Sequence, residues 1–266
     1  LKPGHSSIEA ADIAYNGQLI FTELMSEILT QLHGKNISDN LILSGGCALN
    51  SACNGLLLEK TPFKKLHVYS APGDEGNAIG AALLSFYKDN PSKNVPTAQM
   101  SPYLGESMKT EVMKNCKEHS GLKHKTLNGQ PLYQHVATLL SEGKIIGWVQ
   151  GRAEFGPRAL GNRSILADPR SVEMKDALNS RVKFREEFRP FAPSILHEYG
   201  EEYFENYQSS PYMERTLKFK SAVWNKVPAV VHEDKTGRAQ SVTRESNEKY
   251  YDLISAFNEI TGVPIL

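Results

Sequence analysis

The sequence predicts an α/β protein with two domains. Short apolar segments of strand length alternate with amphipathic segments of helix length, which is typical of this class. A polar stretch over 88–107, broken by three prolines, separates two such series, and the second series leads into an unusually arginine-rich region. We therefore predict domains over 1–90 and 108–266, joined by a linker over 91–107.

The composition excludes several classes of protein. The chain has 266 residues, of which 40% are hydrophobic and 23% charged, enough for two ordinary domains with their own cores. Thirty cationic residues balance thirty anionic ones, which argues against binding of nucleic acid or membrane through bulk charge. The three cysteines have no zinc-site spacing and are typical of reduced cytoplasmic thiols. Without a membrane-length apolar run or a signal peptide, we predict a cytoplasmic protein.

The first predicted element is a long helix over 5–34, capped by Ser6 or Ser7 and ended by Gly34. Its apolar residues recur at helical spacing, and we expect them to form one buried stripe. The residues of this stripe are Ile8, Ala11, Ile13, Ala14, Leu19, Ile20, Leu24, Ile28, Leu29 and Leu32.

Two strand–turn–helix units follow. Gly45 and Gly46 lie between a predicted strand over 40–44 and a helix over 48–58. A glycine pair at such a turn lets the backbone approach a nucleotide, although many similar turns carry glycine only for packing. Asp74 lies in the turn of the second unit, between a strand over 65–70 and a helix over 77–87. It is suited either to cap the turn or, at the end of a strand, to bind a metal.

The second domain is predicted to mix helices, strands and extended segments. The predicted helices cover 109–119, 131–143, 201–207 and 247–261, the strands cover 144–149 and 191–197, and extended segments cover 212–219 and 227–232. The strand over 144–149 ends at the arginine-rich region, a position where α/β domains often carry function.

The region 151–194 has nine cationic and six anionic side chains, a net charge of +3 in a chain of zero net charge. Gly156 and Pro157 predict a tight entry to a helical turn, whose backbone N–H groups would attract an anion. Guanidinium groups add planar donors that match phosphate oxygens. Mixed charges more often form solvated ion pairs, and we favour that interpretation for Arg170, Lys175 and Arg181.

These residues resemble a known family. The segments GRAEFGPRALGNRSILADPR over 151–170 and KFREEFRPFAPS over 183–194 resemble the C-terminal domain of O-carbamoyltransferases of the nodulation and antibiotic-tailoring type. SGGCALN over 44–50 and HEDKTGRAQSV over 232–242 extend the resemblance over almost the whole chain.

The resemblance implies both a fold and a reaction. The fold would be the C-terminal part of an actin-like (RNase H-like) domain, followed by a YrdC-like α/β domain with a mixed twisted sheet. The second domain would use carbamoyl phosphate and ATP to form carbamoyl-adenylate and pyrophosphate. The first would then pass the carbamoyl group to a hydroxyl of a small molecule or a sugar-containing metabolite. We expect the chain to be a fragment, incomplete at both ends, that binds its ligands weakly and turns over poorly.

The resemblance also implies the site residues. The catalytic residues would be Arg158, Lys183 and Arg189. The substrate- and nucleotide-binding residues would be Arg152, Arg163, Ser164, Arg185, Arg238, Gly45, Gly46 and Asn50. The metal, iron or magnesium, would bind Asp74 together with a histidine pair from a segment that this sequence lacks.

Two other function classes stay open from the sequence. The same arginines could bind nucleotide without turnover in a regulatory module, which an assay of pyrophosphate release would distinguish from the enzyme. The second class is a structural or RNA-binding protein, and the zero net charge of the chain argues against this class. A gel shift at low salt would test that role. Oligomeric state has no signature in the sequence.

Overall fold

The computed structural model describes residues 6–94, 100–119, 121, 123–184 and 189–266. Within these residues it confirms a mixed α/β protein with short sheets. The helices are α1 (Ser7–His33), α2 (Ser51–Lys60), α3 (Asn77–Asp89), α4 (Thr110–His119), α5 (Gln130–Ser141), α6 (Val172–Leu178), α7 (Gly200–Tyr203) and α8 (Glu248–Thr261). The strands are β1 (Asn40–Ile42), β2 (Lys65–His67), β3 (Ile146–Val149), β4 (Arg163–Leu166), β5 (Ser194–Leu196), β6 (Leu217–Lys218), β7 (Thr236–Gly237) and β8 (Gln240–Val242).

The strands form two-stranded ladders. β1 pairs with β2 in parallel, and β5 pairs with β8 in parallel. β3 pairs with β4 and β6 pairs with β7 in antiparallel fashion. The parallel pair β1–β2, with helices after each strand, confirms the two predicted strand–turn–helix units. We call the described residues of 6–90 the first unit and those of 108–266 the second unit. The three ladders of the second unit confirm a mixture of strand directions there.

Helix α1 begins as predicted but does not bury the predicted stripe. The Ser6 hydroxyl accepts a hydrogen bond from the Glu9 amide, and the Glu9 carboxylate accepts one from the Ser6 amide, which completes a capping box. Leu29 is buried, but Leu24 and Ile28 are more than half exposed. The other large apolar side chains of the stripe, Ile8, Ile13, Leu19, Ile20 and Leu32, are also exposed. Periodicity identifies residues that share one face, whereas burial requires a neighbour that covers this face.

Each unit has its own apolar core. In the first unit, Leu29, Leu41 and Leu57 pack with residues of α2 and β2. In the second unit, α5 and α8 pack together over β5 and β8, and Leu140 and Phe257 are completely buried there. Asn247 caps α8 by accepting a hydrogen bond from the Tyr250 amide, which confirms the predicted last helix. The three cysteines are free thiols, as predicted.

None of the helices in the described ranges combines the length and the apolar character needed to cross a bilayer.

The segment 100–107, part of the predicted linker, packs against the second unit. The Tyr103 hydroxyl donates a hydrogen bond to the Leu160 carbonyl at 2.9 Å. The Gly105 amide donates to the Ala153 carbonyl at 2.9 Å, and the Ala153 amide donates to the Glu106 carbonyl. These bonds attach the segment to the loop between β3 and β4.

The two units meet at Gly156. The Ser70 hydroxyl donates a hydrogen bond to the Phe155 carbonyl at 3.0 Å. Gly156 has φ +124°, and a Cβ atom built on it would lie 2.2 Å from the Ser70 carbonyl oxygen. Glycine is therefore required here both by the backbone conformation and by the close approach of the first unit.

We expect Gly156→Ala to lower the free energy of unfolding by about 2 kcal/mol, since backbone strain of this kind costs about 1–3 kcal/mol. Gly17→Ala is the control. Gly17 lies in the middle of α1 and its Cβ would meet nothing within 4 Å, so this substitution should stabilise by about 0.5–1 kcal/mol through helix propensity. Urea denaturation of both variants measures the two effects, and a shift of the same sign in both would contradict the proposed role of Gly156.

Candidate functional site

Four cationic side chains line one cavity in the second unit. The cavity has a volume of about 240 Å³ and lies beside β4, α6 and the first residues of β5. Its wall includes Arg158, Lys175, Lys183 and Arg238, with Ser164 on β4. A concave, partly apolar site with convergent positive charge is suited to bind a small phosphate-bearing anion.

The structure thus brings together four of the predicted site residues, Arg158, Ser164, Lys183 and Arg238. It also adds Lys175, which the sequence analysis assigned to a solvated ion pair. Lys175 is on α6, near the middle of the helix. No motif distinguishes it in the sequence, and only the packing of Met174 and Leu178 of α6 against Ala229 places this helix in the wall.

Arg158 connects this cavity with the first unit. One terminal nitrogen of its guanidinium, Nη2, donates a hydrogen bond to the Leu49 carbonyl at 3.1 Å. Leu49 ends the 3-10 helix Gly46–Leu49, which begins at the second glycine of the pair. Burial lowers the pKa of the Arg158 guanidinium, which nevertheless stays cationic near neutral pH because arginine titrates far above it. A partly desolvated, planar cation is therefore held between the two units.

The acidic residue in the cavity wall is Asp168, and Arg170 neutralises it. The Arg170 Nε atom donates to both carboxylate oxygens of Asp168 at 2.9 Å, and Nη2 donates to Oδ2 at 2.6 Å. This contact raises the pKa of Arg170. The predicted ion pair of Arg170 is confirmed, and the pairing preserves the positive charge of the cavity.

The prediction of a helical turn at Gly156 and Pro157 is wrong. The chain over 151–162 forms a series of bends and then enters β4. The Glu154 Oε1 atom accepts hydrogen bonds from the amides of Leu160, Asn162 and Arg163, at 2.6, 2.9 and 3.3 Å. Three backbone N–H groups at the end of this loop are therefore satisfied by a carboxylate of the same loop.

Arg152 and Arg163 lie outside this cavity wall. Both Arg163 terminal nitrogens donate to main-chain carbonyls, among them those of Gln150 at 2.7 Å and Gly151 at 3.2 Å. Arg152 donates to the Leu104 carbonyl at 2.9 Å. In this structure both guanidinium groups stabilise the loop that carries Arg158. Their roles as ligands stay predictions.

The remaining cationic candidates, Lys183, Arg185 and Arg189, lie at the end of the π-helical turn Asn179–Lys183 or after it. Lys183 ends this turn and lines the cavity. The Arg189 carbonyl accepts a hydrogen bond from the Asn179 side chain at 3.1 Å, which fixes the chain where it returns to the cavity. Arg185 lies outside the described residues. The catalytic roles of Lys183 and Arg189 are not tested by these contacts.

The glycine pair of the first unit faces open space. Gly45 has φ +91°, and a Cβ atom on Gly45 or Gly46 would meet no atom within 4 Å. Asn50 caps α2 with its Oδ1 atom, and its Nδ2 atom donates to the Gln18 side chain at 3.0 Å. The backbone of the pair is thus accessible to a ligand, while Asn50 has a structural role. Nucleotide binding by these three residues stays a prediction.

Asp74 is the first residue of a 3-10 helix whose N-cap is Gly73, and no side chain caps this helix, so the predicted capping role of Asp74 is not seen. Within the described residues, no three His, Cys, Asp or Glu side chains are grouped so that they could hold a metal ion. A single carboxylate is too few ligands for a protein metal centre. The expected metal, with Asp74 as one of its ligands, stays a prediction, and no step below depends on it.

His232 is a candidate that the sequence analysis did not select. Its Nδ1 atom lies 3.3 Å from the Thr236 hydroxyl, and this hydroxyl donates to the Asp234 carboxylate at 2.7 Å. Burial lowers the pKa of the imidazole, with smaller contributions from Arg238 and Lys175 in the same direction. Asp234 and the Phe191 carbonyl act in the opposite direction. The ring is therefore held neutral near physiological pH.

We expect the free energy of unfolding to decrease between about pH 7 and about pH 5, and to decrease less in His232→Gln. The folded imidazole resists protonation below its ordinary pKa of 6.5, so the unfolded chain takes up the proton first. The stabilisation is present above this pH and is lost below it. Urea denaturation at several pH values measures the effect. Equal pH dependence of wild type and variant would contradict the buried, neutral state of His232.

The chain is similar to carbamoyltransferases in both units. The family model described as Carbamoyltransferase N-terminus matches residues 3–83, and the one described as Carbamoyltransferase C-terminus matches residues 137–266. The cavity lies in the second match, and the glycine pair lies in the first.

Curated relatives support this assignment. The nodulation protein NolO of Bradyrhizobium diazoefficiens is 41% identical over 233 residues, which are 85% of this chain and 42% of NolO. The nodulation protein NolNO of Sinorhizobium fredii is 39% identical over 85% of this chain and 34% of NolNO. Nodulation protein U of the same organism is 36% identical over 85% of this chain and 38% of its own length. The chain thus spans well under half the length of these relatives. Because its two units match the two successive parts of one family, this chain belongs to the carbamoyltransferases.

Proposed function

We propose that this chain is part of an ATP-dependent O-carbamoyltransferase and that its cavity binds carbamoyl phosphate. The observation that carries this proposal is the convergence of Arg158, Lys175, Lys183 and Arg238 on one cavity in a member of this family. Carbamoyl phosphate is a small dianion, and a volume of about 240 Å³ exceeds that of several water molecules at about 30 Å³ each.

In the proposed reaction, water first cleaves carbamoyl phosphate to carbamate and phosphate. A carbamate oxygen then attacks the α-phosphorus of ATP, which forms carbamoyl-adenylate and releases pyrophosphate. Both released groups are polyanions, so preorganised cations favour the charge that develops as they leave. The plane of the Arg158 guanidinium group is fixed, because Nη2 donates a hydrogen bond to the Leu49 carbonyl. Lys183 has a flexible stem and a compact charge, and so can follow a phosphoryl group as it moves.

The carbamoyl group then passes to a hydroxyl of a small-molecule acceptor. The accessible glycine pair supports nucleotide binding on the first unit, where a carbamoyl-adenylate would be used. The Arg158–Leu49 hydrogen bond connects this region with the cavity.

We expect titration of carbamoyl phosphate into this chain to give saturable heat, and Lys183→Met to weaken binding about tenfold, the value of one charge-assisted hydrogen bond. Methionine keeps the apolar stem and removes the charge. The matched control is Lys226→Met, an exposed lysine outside the cavity wall, which should bind as the wild type does. Equal affinity in all three proteins, or no binding to the wild type, would contradict the proposal. Release of pyrophosphate from ATP with carbamoyl phosphate would then distinguish turnover from binding alone.

A further inference from the structure

The cationic side chains of the cavity wall satisfy only one half of carbamoyl phosphate. Arginine and lysine side chains only donate hydrogen bonds, so they match the phosphate and the carbonyl oxygen. The carbamoyl NH₂ group is itself a donor and requires an acceptor. Both carboxylate oxygens of Asp168 already accept two contacts each from Arg170. An uncharged acceptor elsewhere in the wall would complete the site.

Ser194 is a buried wall residue of this cavity and the first residue of β5. It is 3% exposed. Its amide donates a hydrogen bond to the Leu266 carbonyl at 2.8 Å, and its carbonyl accepts one from the Leu266 amide at 2.9 Å. The backbone polar groups of Ser194 are therefore paired, which leaves its side-chain hydroxyl to meet a ligand.

The neighbouring strand determines where the hydroxyl hydrogen of Ser194 points. Ser194 on β5 is paired with Gln240 on β8, and its Oγ atom lies 2.8 Å from Gln240 Oε1. The other end of the Gln240 amide, Nε2, lies 3.0 Å from the Leu160 carbonyl. Because a carbonyl oxygen only accepts, the NH₂ end of Gln240 must face Leu160 and its oxygen must face Ser194. Ser194 is therefore the donor, and its hydrogen is bound to Gln240.

A hydroxyl whose hydrogen is already bound can only accept a hydrogen bond from a ligand. Its oxygen has two acceptor positions, and the Tyr250 phenol, also in the cavity wall, takes one of them. The other position of Ser194 Oγ remains. Ser164, the second serine of the wall, has the opposite polarity: it accepts from the Gly161 amide at 3.0 Å and keeps its own hydrogen for a phosphate or carbonyl oxygen.

We infer that Ser194 is a specificity-determining residue whose Oγ accepts a hydrogen bond from the NH₂ group of carbamoyl phosphate, and that Gln240 holds it in this orientation. The inference rests on the proposed function of the cavity. Carbamate keeps the NH₂ group, so the same bond holds it after phosphate has left. Acetyl phosphate has the same charge but a methyl group in place of NH₂. A site built to accept a hydrogen bond rejects such an analogue, because its own polar atom is then left unpaired.

The test compares the dissociation constants of carbamoyl phosphate, acetyl phosphate and inorganic phosphate in wild type and Ser194→Ala. We expect the wild type to prefer carbamoyl over acetyl phosphate about tenfold, the value of one buried hydrogen bond. In Ser194→Ala this preference should be lost because carbamoyl phosphate alone binds more weakly. The matched control is Ser26→Ala, a buried serine of α1 whose hydroxyl donates to the Thr22 carbonyl at 2.7 Å, which should keep the full preference.

A second variant, Gln240→Met, tests the orientation of the hydroxyl. Methionine has a similar length but does not fix the hydrogen of Ser194, which is then free to turn and donate to the carbonyl oxygen that both acyl phosphates share. We expect Gln240→Met to lose part of the preference for carbamoyl phosphate and to bind inorganic phosphate as the wild type does. A merely structural role of Gln240 would weaken all three anions alike.

The outcomes separate this inference from the proposed function. Equal affinity of the wild type for carbamoyl and acetyl phosphate overturns the inference without any variant, while the cavity assignment stands. The inference is also wrong if the preference persists in Ser194→Ala, or if all three anions bind more weakly there by the same factor. If no phosphate compound binds to the wild type, the proposed function itself fails, and the inference fails with it.

Discussion

Replacing Arg215 by methionine should lower the free energy of unfolding by about 3–5 kcal/mol, the cost of breaking a buried ion pair from one side. Arg215 and Glu214 are 4% and 5% exposed. The Arg215 Nε atom donates to Glu214 Oε1 at 3.0 Å, and Nη2 donates to the Leu66 carbonyl of the first unit at 2.9 Å. The substitution would remove both bonds and leave a buried carboxylate without its counter-charge.

The substitution Arg215→Met should also weaken the contact between the two units. The Glu214 carbonyl accepts a hydrogen bond from the Asn54 side chain, which also donates to the Ala48 carbonyl in the 3-10 helix Gly46–Leu49. The amide of Thr216 donates to the Ser51 carbonyl at 3.0 Å. The segment that contains the ion pair is thus bound to the first unit by several hydrogen bonds.

Urea denaturation measures the change, with Lys218→Met as the matched control. Lys218 forms an ion pair with Glu205 at 3.0 Å, and the two side chains are 58% and 43% exposed. An exposed pair of this kind contributes about 0–1 kcal/mol. The double variant Glu214→Gln, Arg215→Met should recover part of the loss, because no buried charge is left. Equal destabilisation by Arg215→Met and Lys218→Met would contradict the argument.

Replacing Arg158 by alanine should weaken the binding of carbamoyl phosphate by about 10- to 100-fold, since hydrogen bonds to charged groups contribute about 1.5–3 kcal/mol. The guanidinium is partly desolvated in the cavity wall and is oriented by the Leu49 carbonyl at 3.1 Å. Water screens it less than an exposed charge, so its interaction with an anion is stronger. Arg158→Lys should restore only part of the affinity, because an ammonium group cannot bind two oxygens in a plane.

Isothermal titration at constant, low ionic strength measures this prediction, and Arg244→Ala is the control. Arg244 is an exposed arginine that binds Asp252 at 2.7 Å on α8, away from the cavity wall. The variant should bind carbamoyl phosphate as the wild type does. Unchanged affinity in Arg158→Ala, together with a loss in Lys183→Met, would show that Arg158 connects the units without binding the ligand.

Local sequence patterns predicted most helices and the family well. The capping box at Ser6 and Glu9 and the cap at Asn247 depend on residues within one turn of each other, so short-range signals are sufficient. The turn at Gly156 was predicted wrongly for the same reason. Gly-Pro is a good local start for a helix, whereas the actual loop is determined by Glu154 and by the approach of Ser70.

Sequence alone determined the α/β class, the strand–turn–helix units and membership of the carbamoyltransferases, because each is carried by contiguous residues. Only the tertiary structure decided which cations share a cavity, that Arg163 binds main-chain carbonyls, and that the apolar face of α1 is largely exposed within the described residues. The physical reason is that charge convergence and burial depend on contacts between residues far apart in the chain. Lys175 shares a cavity wall with Arg158 only because Met174 and Leu178 of α6 pack against Ala229, far along the chain.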